Sequence, residues 1–286
     1  MRICDKFGQD RPVFSFEFFP PKTDRGFADL YRTISDLKRL DPAFVSVTWG
    51  AGGSTRRKTV ELVAQIQNDL GITAMAHLSC VGSDREQLGD TLDRLARADV
   101  YNVLPLGGDR PEDYEPPPDA FDYANELVAF IRARPDGARF SLAGACYPET
   151  HPLAPDPETD LRMLAQKVSA GVDFLITQLF FDDADYFDFV SRARAVGIGV
   201  PIVPGIMPVI SSRNIRRMAS LSGAGIPDEL AELLDDSGED DARTLEVGVE
   251  WATRQCRGLL EGGAPGIHFY TLNRSPATQR IYERLF

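Results

Sequence analysis

Eight short apolar segments alternate with amphipathic helical segments along the whole chain, and this alternation constrains the fold more than any other feature. The apolar segments are near-continuous hydrophobic runs, which is typical of parallel strands buried on both faces. They cover residues 13–18, 44–49, 72–78, 100–106, 140–147, 174–180, 200–206 and 266–271. A helical segment after nearly every strand predicts an α/β fold built on a parallel sheet.

Two architectures contain this alternation: a closed (β/α)8 TIM barrel and an open, doubly wound sheet. The open sheet usually carries a glycine-rich dinucleotide-binding turn after its first strand, whereas this chain has Pro20 and Pro21 there. The chain has 286 residues, close to the roughly 250 of one barrel domain. We therefore predict a single catalytic barrel domain over residues 1–286, with extra helices at 228–235 and 241–261 before strand eight.

Charge and cysteine content narrow the possible partners and the location. A formal net charge of −12 disfavours nucleic acid and anionic membrane surfaces, because both require a basic face. Neither a signal segment nor a stretch with the length of a transmembrane helix is visible. The four cysteines are scattered without a CxxC pair, which argues against structural zinc and disulfides. We expect a cytoplasmic protein with a small-molecule substrate; whether it forms a homo-oligomer stays open.

In such barrels the active site lies at the carboxyl ends of the strands and in the loops that follow them. Glu17 is the most informative residue there, because it lies in a predicted buried strand between Phe16 and Phe18. Burial disfavours the ionised form, so we expect a raised pKa for this carboxyl, as a general acid working near neutral pH requires. The alternative is a structural ion pair with an arginine or lysine inside the barrel.

Other residues at the predicted strand ends give weaker signals. Asp109 follows two glycines, which permits close backbone approach to a ligand, although a turn or N-cap role is equally expected. His77 is interpreted as a ligand contact or a satisfied core histidine and His268 as structural; with His151 they form no metal-binding pattern, so we predict no metal. A glycine-rich stretch at 50–53, followed by basic residues, weakly indicates an anion site.

Several short motifs occur in order over nearly the whole chain. They are SFEFFPP at 15–21, FVSVTWG at 44–50, AHLSC at 76–80, Gly108-Asp109, YPETHP at 147–152, Lys167 with Ala170-Gly171, ITQLFFD at 176–182, PGIMPV at 204–209 and HFYTLNR at 268–274. As a set, these motifs resemble the methylenetetrahydrofolate reductase family. The resemblance implies a catalytic barrel alone, without a C-terminal regulatory domain.

The resemblance also implies a reaction: 5,10-methylenetetrahydrofolate is reduced to 5-methyltetrahydrofolate, with NADH or NADPH as the electron source. Glu17 matches the family's general acid, which opens the five-membered ring by protonating the folate amine. Asp109, counted with it as catalytic, matches the aspartate that holds the pterin. The implied folate contacts are Asp109, Gln178, Asn214, Tyr270 and Arg274, and the implied cofactor contacts are Thr48, Trp49, His77, Gly108, Tyr147, His151, Lys167 and Gln178.

The match is uneven at the positions that bind FAD in the family's best-known members. The matching positions are His77, Ala124, His151, Ala154, Asp160 and Lys167. Gly107 replaces an arginine that would neutralise flavin phosphate. Trp49 replaces a tyrosine, Met163 a polar flavin contact and Met218 a phenylalanine near the ligands. We hypothesise that this chain binds FAD weakly or not at all, and that hydride passes directly from NAD(P)H to the iminium carbon of the folate.

Three alternatives remain open. The same reaction through bound FAD, by a ping-pong mechanism, is favoured by the retained Lys167 and His151. A folate- or flavin-binding barrel without catalysis has no need for a buried acid, so Glu17 argues against it. A metal-dependent barrel hydrolase commonly needs an H-x-H on a strand, and none occurs here. The sequence does not distinguish NADH from NADPH as the hydride donor. It also leaves open the physiological direction of the reaction and the role of the helical insert at 227–262.

Overall fold

A computed structural model of the chain describes residues 1–9, 11–49, 53–238 and 240–286, without the side chains of residues 24 and 53–56. The strands within these ranges run parallel to their neighbours and form one continuous sheet. They are β1 (Val13–Phe18), β2 (Phe44–Val47), β3 (Ala74–Ser79), β4 (Asn102–Leu106), β5 (Ser141–Cys146), β6 (Phe174–Thr177), β7 (Ile202–Val203), β8 (Gly205–Ile206) and β9 (Gly266–Tyr270). Each overlaps a segment that the sequence predicts as a strand.

The barrel closes at a strand that changes partner at Pro204. The order of the sheet is β7-β6-β5-β4-β3-β2-β1-β9-β8. The predicted strand at 200–206 is therefore interrupted: β7 pairs with β6, and β8 pairs with β9. Proline has no N–H for a strand ladder, and the Pro204 carbonyl accepts from His268 N at 2.9 Å. Because β7 and β8 are halves of one strand, the predicted TIM barrel is confirmed.

Helices connect most of the successive strands. They are α1 (Asp24–Lys38), α2 (Gly53–Asn68), α3 (Arg85–Arg97), α4 (Ala124–Ala133), α5 (Pro157–Ser169), α6 (Asp183–Ala195), α7 (Ser212–Ser222), α8 (Asp228–Ser237), α9 (Asp241–Glu261) and α10 (Pro276–Leu285). The helix α10 and a short 3-10 helix at Ile3–Lys6 lie outside the predicted elements. Within the described ranges, no helix combines the length and the apolar character that a membrane span requires.

Alternate residues of each strand face opposite sides of the barrel wall. On β1, Phe14, Phe16 and Phe18 pack in the large core between the sheet and the helices. Val13 instead belongs to a smaller apolar cluster with residues of the other strands, which fills the barrel interior. Glu17 comes four residues after Val13, so the alternation directs its side chain into the same interior, near the carboxyl end of β1.

The two extra helices predicted before strand eight are α8 and α9, and α9 braces the loops at the carboxyl end of the barrel. Trp251 Nε1 on α9 donates to the Phe181 carbonyl at 3.2 Å, just after β6. Gly248 lies so close to the segment after β8 that a Cβ there would be 2.0 Å from the Val209 carbonyl oxygen. The insert thus holds in place loops that border the predicted site.

Candidate active site

Glu17 occupies the centre of a polar cluster inside the barrel, with its side chain 14 % exposed. Its Oε2 atom accepts a hydrogen bond from Ser46 Oγ at 3.3 Å and lies 3.3 Å from His268 Nε2. His77 Nε2 is 3.2 Å from the same oxygen but is not aligned for a hydrogen bond. Among the described residues no hydrogen bond reaches Oε1. The carboxyl is therefore held through Oε2, while Oε1 has no hydrogen-bond partner in the described part of the chain.

The register of the sheet brings this cluster together. Glu17 on β1 lies beside Ser46 on β2 and beside Tyr270 on β9, at the same height in the barrel. Ser15, two residues earlier, lies beside His268. Side chains at the same height in a parallel barrel point into the same layer of the interior. The cluster thus depends on strands far apart in the sequence.

His268 is completely buried and is fixed on several sides. Its Nδ1 is 2.7 Å from Ser15 Oγ. Its ring stacks on Phe44, with centroids 5.8 Å apart, and meets the Tyr270 ring edge-on at 5.4 Å. The contact with Glu17 goes beyond the structural role that the sequence predicts for this histidine.

Burial and the two histidines act on the pKa of Glu17 in opposite directions. Removal from water raises the pKa, whereas the neighbouring His77 and His268 imidazoles lower it, and together they hold the pKa of Glu17 well below its usual range. The raised pKa that the sequence predicts is therefore wrong for the ligand-free site, because the expectation omitted the imidazoles. Among the described residues, its partners are histidines and a serine rather than the arginine or lysine of the alternative interpretation.

A second group of predicted residues surrounds Tyr147, directly after β5. Its ring contacts His151, with centroids 4.5 Å apart. Burial raises the pKa of Tyr147, the nearby Asp109 carboxylate raises it further, and a hydrogen bond with the Gln178 side chain opposes this. Tyr270 is within electrostatic range of both Glu17 and Tyr147. The two groups therefore adjoin as parts of one site.

Gly108 and Tyr270 are close to this site but are constrained by other contacts. Gly108 has φ +85°, and a Cβ there would be 2.2 Å from Ser79 Oγ, so the position requires glycine. The Tyr270 hydroxyl donates to the Thr177 carbonyl at 2.6 Å, which ties β9 to β6. Burial raises the pKa of Tyr270 well above its usual value. Because the hydroxyl is engaged, a folate contact at Tyr270 would use the ring.

Two predicted cofactor contacts, Lys167 on α5 and His151 before that helix, already have protein partners. Lys167 Nζ donates to the Ala145 carbonyl at 2.7 Å, and burial lowers the pKa of Lys167. His151 Nδ1 accepts from Leu153 N at 3.1 Å. Near Gly107, the position of the missing arginine, the Arg110 guanidinium donates to the Asp122 carboxylate at 2.9 Å. Lys167 and Arg110 fit a flavin diphosphate poorly as they stand, because each already shares its donors with a protein acceptor.

The remaining predicted residues lie around the rim and do not touch Glu17. Thr48 and Trp49 follow β2, and the buried Trp49 Nε1 has no hydrogen-bond partner in the described structure. Asn214 is exposed at the start of α7. Arg274 is exposed after β9, and among the described residues its guanidinium makes no ion pair. The predicted anion site begins at Gly50, so its residues 50–52 lie outside the described residues.

Sequence reasoning missed several side chains of this site. Ser15 and Ser46 are hydroxyls at inward positions of buried strands, a signal that the period-two pattern of each strand already contains. Asn273, in the motif HFYTLNR, was given no role by the sequence: its side chain both accepts from Phe19 N and donates to Phe19 O, each at 2.9 Å. In the described ranges, no three His, Cys, Asp or Glu side chains are arranged as metal ligands.

Comparison with known proteins decides the family. The family model "Methylenetetrahydrofolate reductase" matches residues 2–286. The chain belongs to the methylenetetrahydrofolate reductase family. The resemblance drawn from the motifs is therefore confirmed, and the cluster around Glu17 is a site within a member of this family.

Relatives from plants, fungi and bacteria match the chain at similar levels. "Methylenetetrahydrofolate reductase (NADH) 1" of Arabidopsis thaliana is 36 % identical over 289 residues, which cover 96 % of the chain and 49 % of the relative. "Methylenetetrahydrofolate reductase 1" of Schizosaccharomyces pombe is 36 % identical, and the match covers 100 % of the chain and 48 % of the relative. "5,10-methylenetetrahydrofolate reductase" of Pectobacterium carotovorum is 35 % identical, and the match covers 97 % of the chain and 91 % of the relative. The chain thus spans about half of the first two relatives and nearly all of the bacterial one.

Solved structures of other proteins share the fold at low sequence identity. A Clostridium thermocellum protein described as binding two copies of 5-methyl-5,6,7,8-tetrahydrofolic acid has a TM-score of 0.63 at 15 % identity, covering 99 % of this chain and 95 % of its own. Dihydropteroate synthase from Xanthomonas albilineans has a TM-score of 0.52 at 13 % identity, covering 96 % and 91 %. At these identities the likeness concerns the barrel.

Proposed function

We propose that this protein reduces 5,10-methylenetetrahydrofolate to 5-methyltetrahydrofolate, with NADH as the hydride donor. One observation carries the proposal: Glu17 is held inside the carboxyl end of the barrel through Oε2, and its Oε1 has no partner among the described residues. Family membership supplies the reaction, and the name of the Arabidopsis relative supplies NADH over NADPH. The bound folate lies over the barrel mouth, against Oε1.

Glu17 acts as the general acid that opens the five-membered ring of the substrate. Its proton passes from Oε1 to the ring nitrogen that leaves the methylene carbon, and that carbon–nitrogen bond breaks. The lone pair of the other nitrogen forms an iminium, and hydride from NADH adds to its carbon to give the methyl group. Ser46 and His268 stabilise the carboxylate left on Glu17, which takes a new proton before the next turnover.

The low pKa of Glu17 in the free site is compatible with this role if the substrate displaces water. Glu17 is ionised as long as water reaches it, because the imidazoles of His77 and His268 lie beside its Oε2 atom. A folate that covers the mouth removes water from the carboxylate, which disfavours the charged form and favours the neutral acid.

The rim residues provide recognition of the two ends of a folate. The exposed Asp109 follows β4 beside Tyr147 and accepts N–H groups of the pterin. The exposed Arg274 is without an ion pair in the described structure and faces the carboxylates of the glutamate end. Tyr147 is near both Asp109 and Gln178, and in this proposal the nicotinamide meets the pterin beside Tyr147 and Gln178. Asn214 completes the rim from α7.

Direct hydride transfer, without FAD, is the mechanism that we propose. Gly107 supplies no cation for a flavin phosphate, Arg110 is paired with Asp122, and Lys167 is bonded to the Ala145 carbonyl. The absorption spectrum of the purified protein tests this point. A colourless protein that oxidises NADH with methylenetetrahydrofolate, without stimulation by added FAD, would support direct transfer. A stoichiometric flavin spectrum would overturn it.

Reduction through bound FAD is the second candidate, and two contacts favour it. The His151 ring contacts the Tyr147 ring at a tilted angle of 59°, and Asp160 accepts from the His151 backbone N–H at 2.9 Å. Asp160 also acts electrostatically on Lys167, so the matched flavin positions remain together. The kinetic pattern separates the two candidates, because a ping-pong pattern requires a bound electron carrier and a ternary-complex pattern does not.

The variant Glu17→Gln tests catalysis. Loss of a general acid is expected to lower kcat by about 10²–10⁴-fold, with the folate Kd changed by less than about threefold because the amide keeps the shape of the side chain. Glu232→Gln, at an exposed position on α8, is the matched control and should leave turnover unchanged. Unchanged turnover in Glu17→Gln would contradict the role of Glu17. Folate binding without turnover in the unmodified protein would indicate a binding barrel.

A further inference from the structure

We propose that His268 is a positioning residue for Glu17, and that Ser15 fixes its tautomer so that Nε2–H donates to Oε2 and the transferable proton of Glu17 stays on Oε1. This inference rests on the proposed function, in which Glu17 is the general acid. It assigns a role to Ser15, which the proposed reaction does not otherwise use, and it specifies how His268 acts on Glu17.

The argument begins at the Ser15 hydroxyl, which is completely buried. A buried hydroxyl needs a partner, and the partner of Ser15 Oγ is His268 Nδ1 at 2.7 Å. A neutral imidazole has one donor nitrogen and one acceptor nitrogen. If the hydroxyl donates to Nδ1, the ring proton must be on Nε2, which is the nitrogen 3.3 Å from Glu17 Oε2.

The surroundings of His268 prevent the ring from leaving this position. One face stacks on Phe44 with an interplanar angle of 18°, and the Tyr270 ring meets it at 89°. The side chain has no exposed surface. A ring flip would separate Nδ1 from Ser15 and would leave a buried hydroxyl unpaired, which is unfavourable. The donor to Glu17 is therefore preorganised.

Two donors on one carboxyl oxygen determine where the acidic proton resides. Ser46 Oγ and His268 Nε2 both approach Oε2, so a proton on that oxygen would face one of their hydrogens. The neutral acid therefore carries its proton on Oε1. His77 on β3 and Tyr270 on β9 are the other titratable groups that face Glu17. His77 is not aligned with Oε2, so it acts on the charge of Glu17 rather than on the choice of oxygen.

Nitrogen NMR of the histidines tests the tautomer directly. The chain has three histidines, so a ¹⁵N-labelled sample gives three resolvable ring systems. The proposal expects His268 as the Nε2–H tautomer in the free protein above about pH 7.5, and a change of its ring nitrogen shifts in Ser15→Ala. An Nδ1–H tautomer for His268, or unchanged shifts in Ser15→Ala, would overturn the proposal.

Kinetics test the consequence for Glu17. Ser15→Ala and His268→Asn, which lose the oriented donor, are expected to lower kcat by at least about tenfold and to shift the pH profile of kcat, with the KM for folate nearly constant. His268→Gln, which places an amide N–H near Nε2, should recover most of kcat. Ser141→Ala is the matched control, since Ser141 is equally buried but bonds to Cys4 N at 3.0 Å at the other end of the barrel.

Each result separates this inference from the proposed function. If Ser15→Ala behaves like Ser141→Ala in kcat and in pH profile, the positioning role of His268 is wrong even though the reductase activity stands. If the unmodified protein shows no reductase activity, the proposed function fails, and with it the catalytic purpose of the arrangement. The NMR measurement then still decides the tautomer, because it needs no substrate.

Discussion

Replacement of Gly248 by alanine should destabilise the fold through the contact between α9 and the segment after β8. A Cβ at this buried position would be 2.0 Å from the Val209 carbonyl oxygen and 2.8 Å from Val209 Cβ, whereas real Cβ atoms essentially never come closer than 3.0 Å. The Val209 carbonyl oxygen and Cβ are both fixed by the backbone, so neither can rotate away from the added methyl group. The helix must therefore shift outward by about 1 Å.

The size of the effect follows from what that shift disturbs. Overpacking a well-packed contact costs about 1–3 kcal/mol. The shift also stretches the hydrogen bonds from Trp251 Nε1 to Phe181 O, now 3.2 Å, and from Gln255 Nε2 to Phe180 O, now 3.1 Å; each is worth about 1 kcal/mol. Alanine regains about 1 kcal/mol in helix propensity. We expect a net loss of about 2–3 kcal/mol in the free energy of unfolding.

Thermal and urea unfolding, followed by circular dichroism, measure this loss. For a chain of this size the melting temperature should fall by about 5 °C. Gly89→Ala in α3 is the matched control: its Cβ would meet only Phe130 Cζ at 3.8 Å, an ordinary contact, so alanine should stabilise the fold by about 0.5–1 kcal/mol. If Gly248→Ala is as stable as Gly89→Ala, the reasoning about the α9 contact is refuted.

Two further predictions concern a buried acid and a loop clamp. Burial, and then the charge of Asp182, raise the pKa of Asp183 to about 6. The folded state therefore binds this proton more tightly than the unfolded state does. As a result, the free energy of unfolding falls as the pH rises from about 4 to about 6. Asp183→Asn should raise the melting temperature at about pH 7.5 and leave it nearly unchanged at about pH 4.5; equal shifts at both pH values would contradict this. Asn273 has φ 56° and makes two hydrogen bonds with the Phe19 backbone, so Asn273→Ala should lose about 2 kcal/mol. Asn273→Gly should lose less, because glycine tolerates this φ; urea unfolding of both variants decides.

Much of the fold was predictable from local patterns. The apolar runs of the strands and the helical spacing between them depend on residues close in sequence, and the structure reproduces them within a few residues. The break of the seventh strand at Pro204 also has a local cause, the missing proline N–H, although the sequence analysis kept that strand whole. The short helix at Ile3–Lys6 and the helix α10 at the chain's end were missed.

The candidate site, too, was predictable from the sequence only in part. That Glu17 lies at the carboxyl end of a buried strand followed from its neighbours in the sequence, and so did the placement of Asp109, Gln178 and Tyr270 after or within other strands. The direction of the shift in the Glu17 pKa did not follow, because it depends on His77 and His268, which approach Oε2 only when four neighbouring strands adopt one register. Periodicity is a local property that a single segment carries. Hydrogen bonds and charges act through space, so their effect on a carboxyl is defined only after closure of the barrel brings distant strands within about 3 Å.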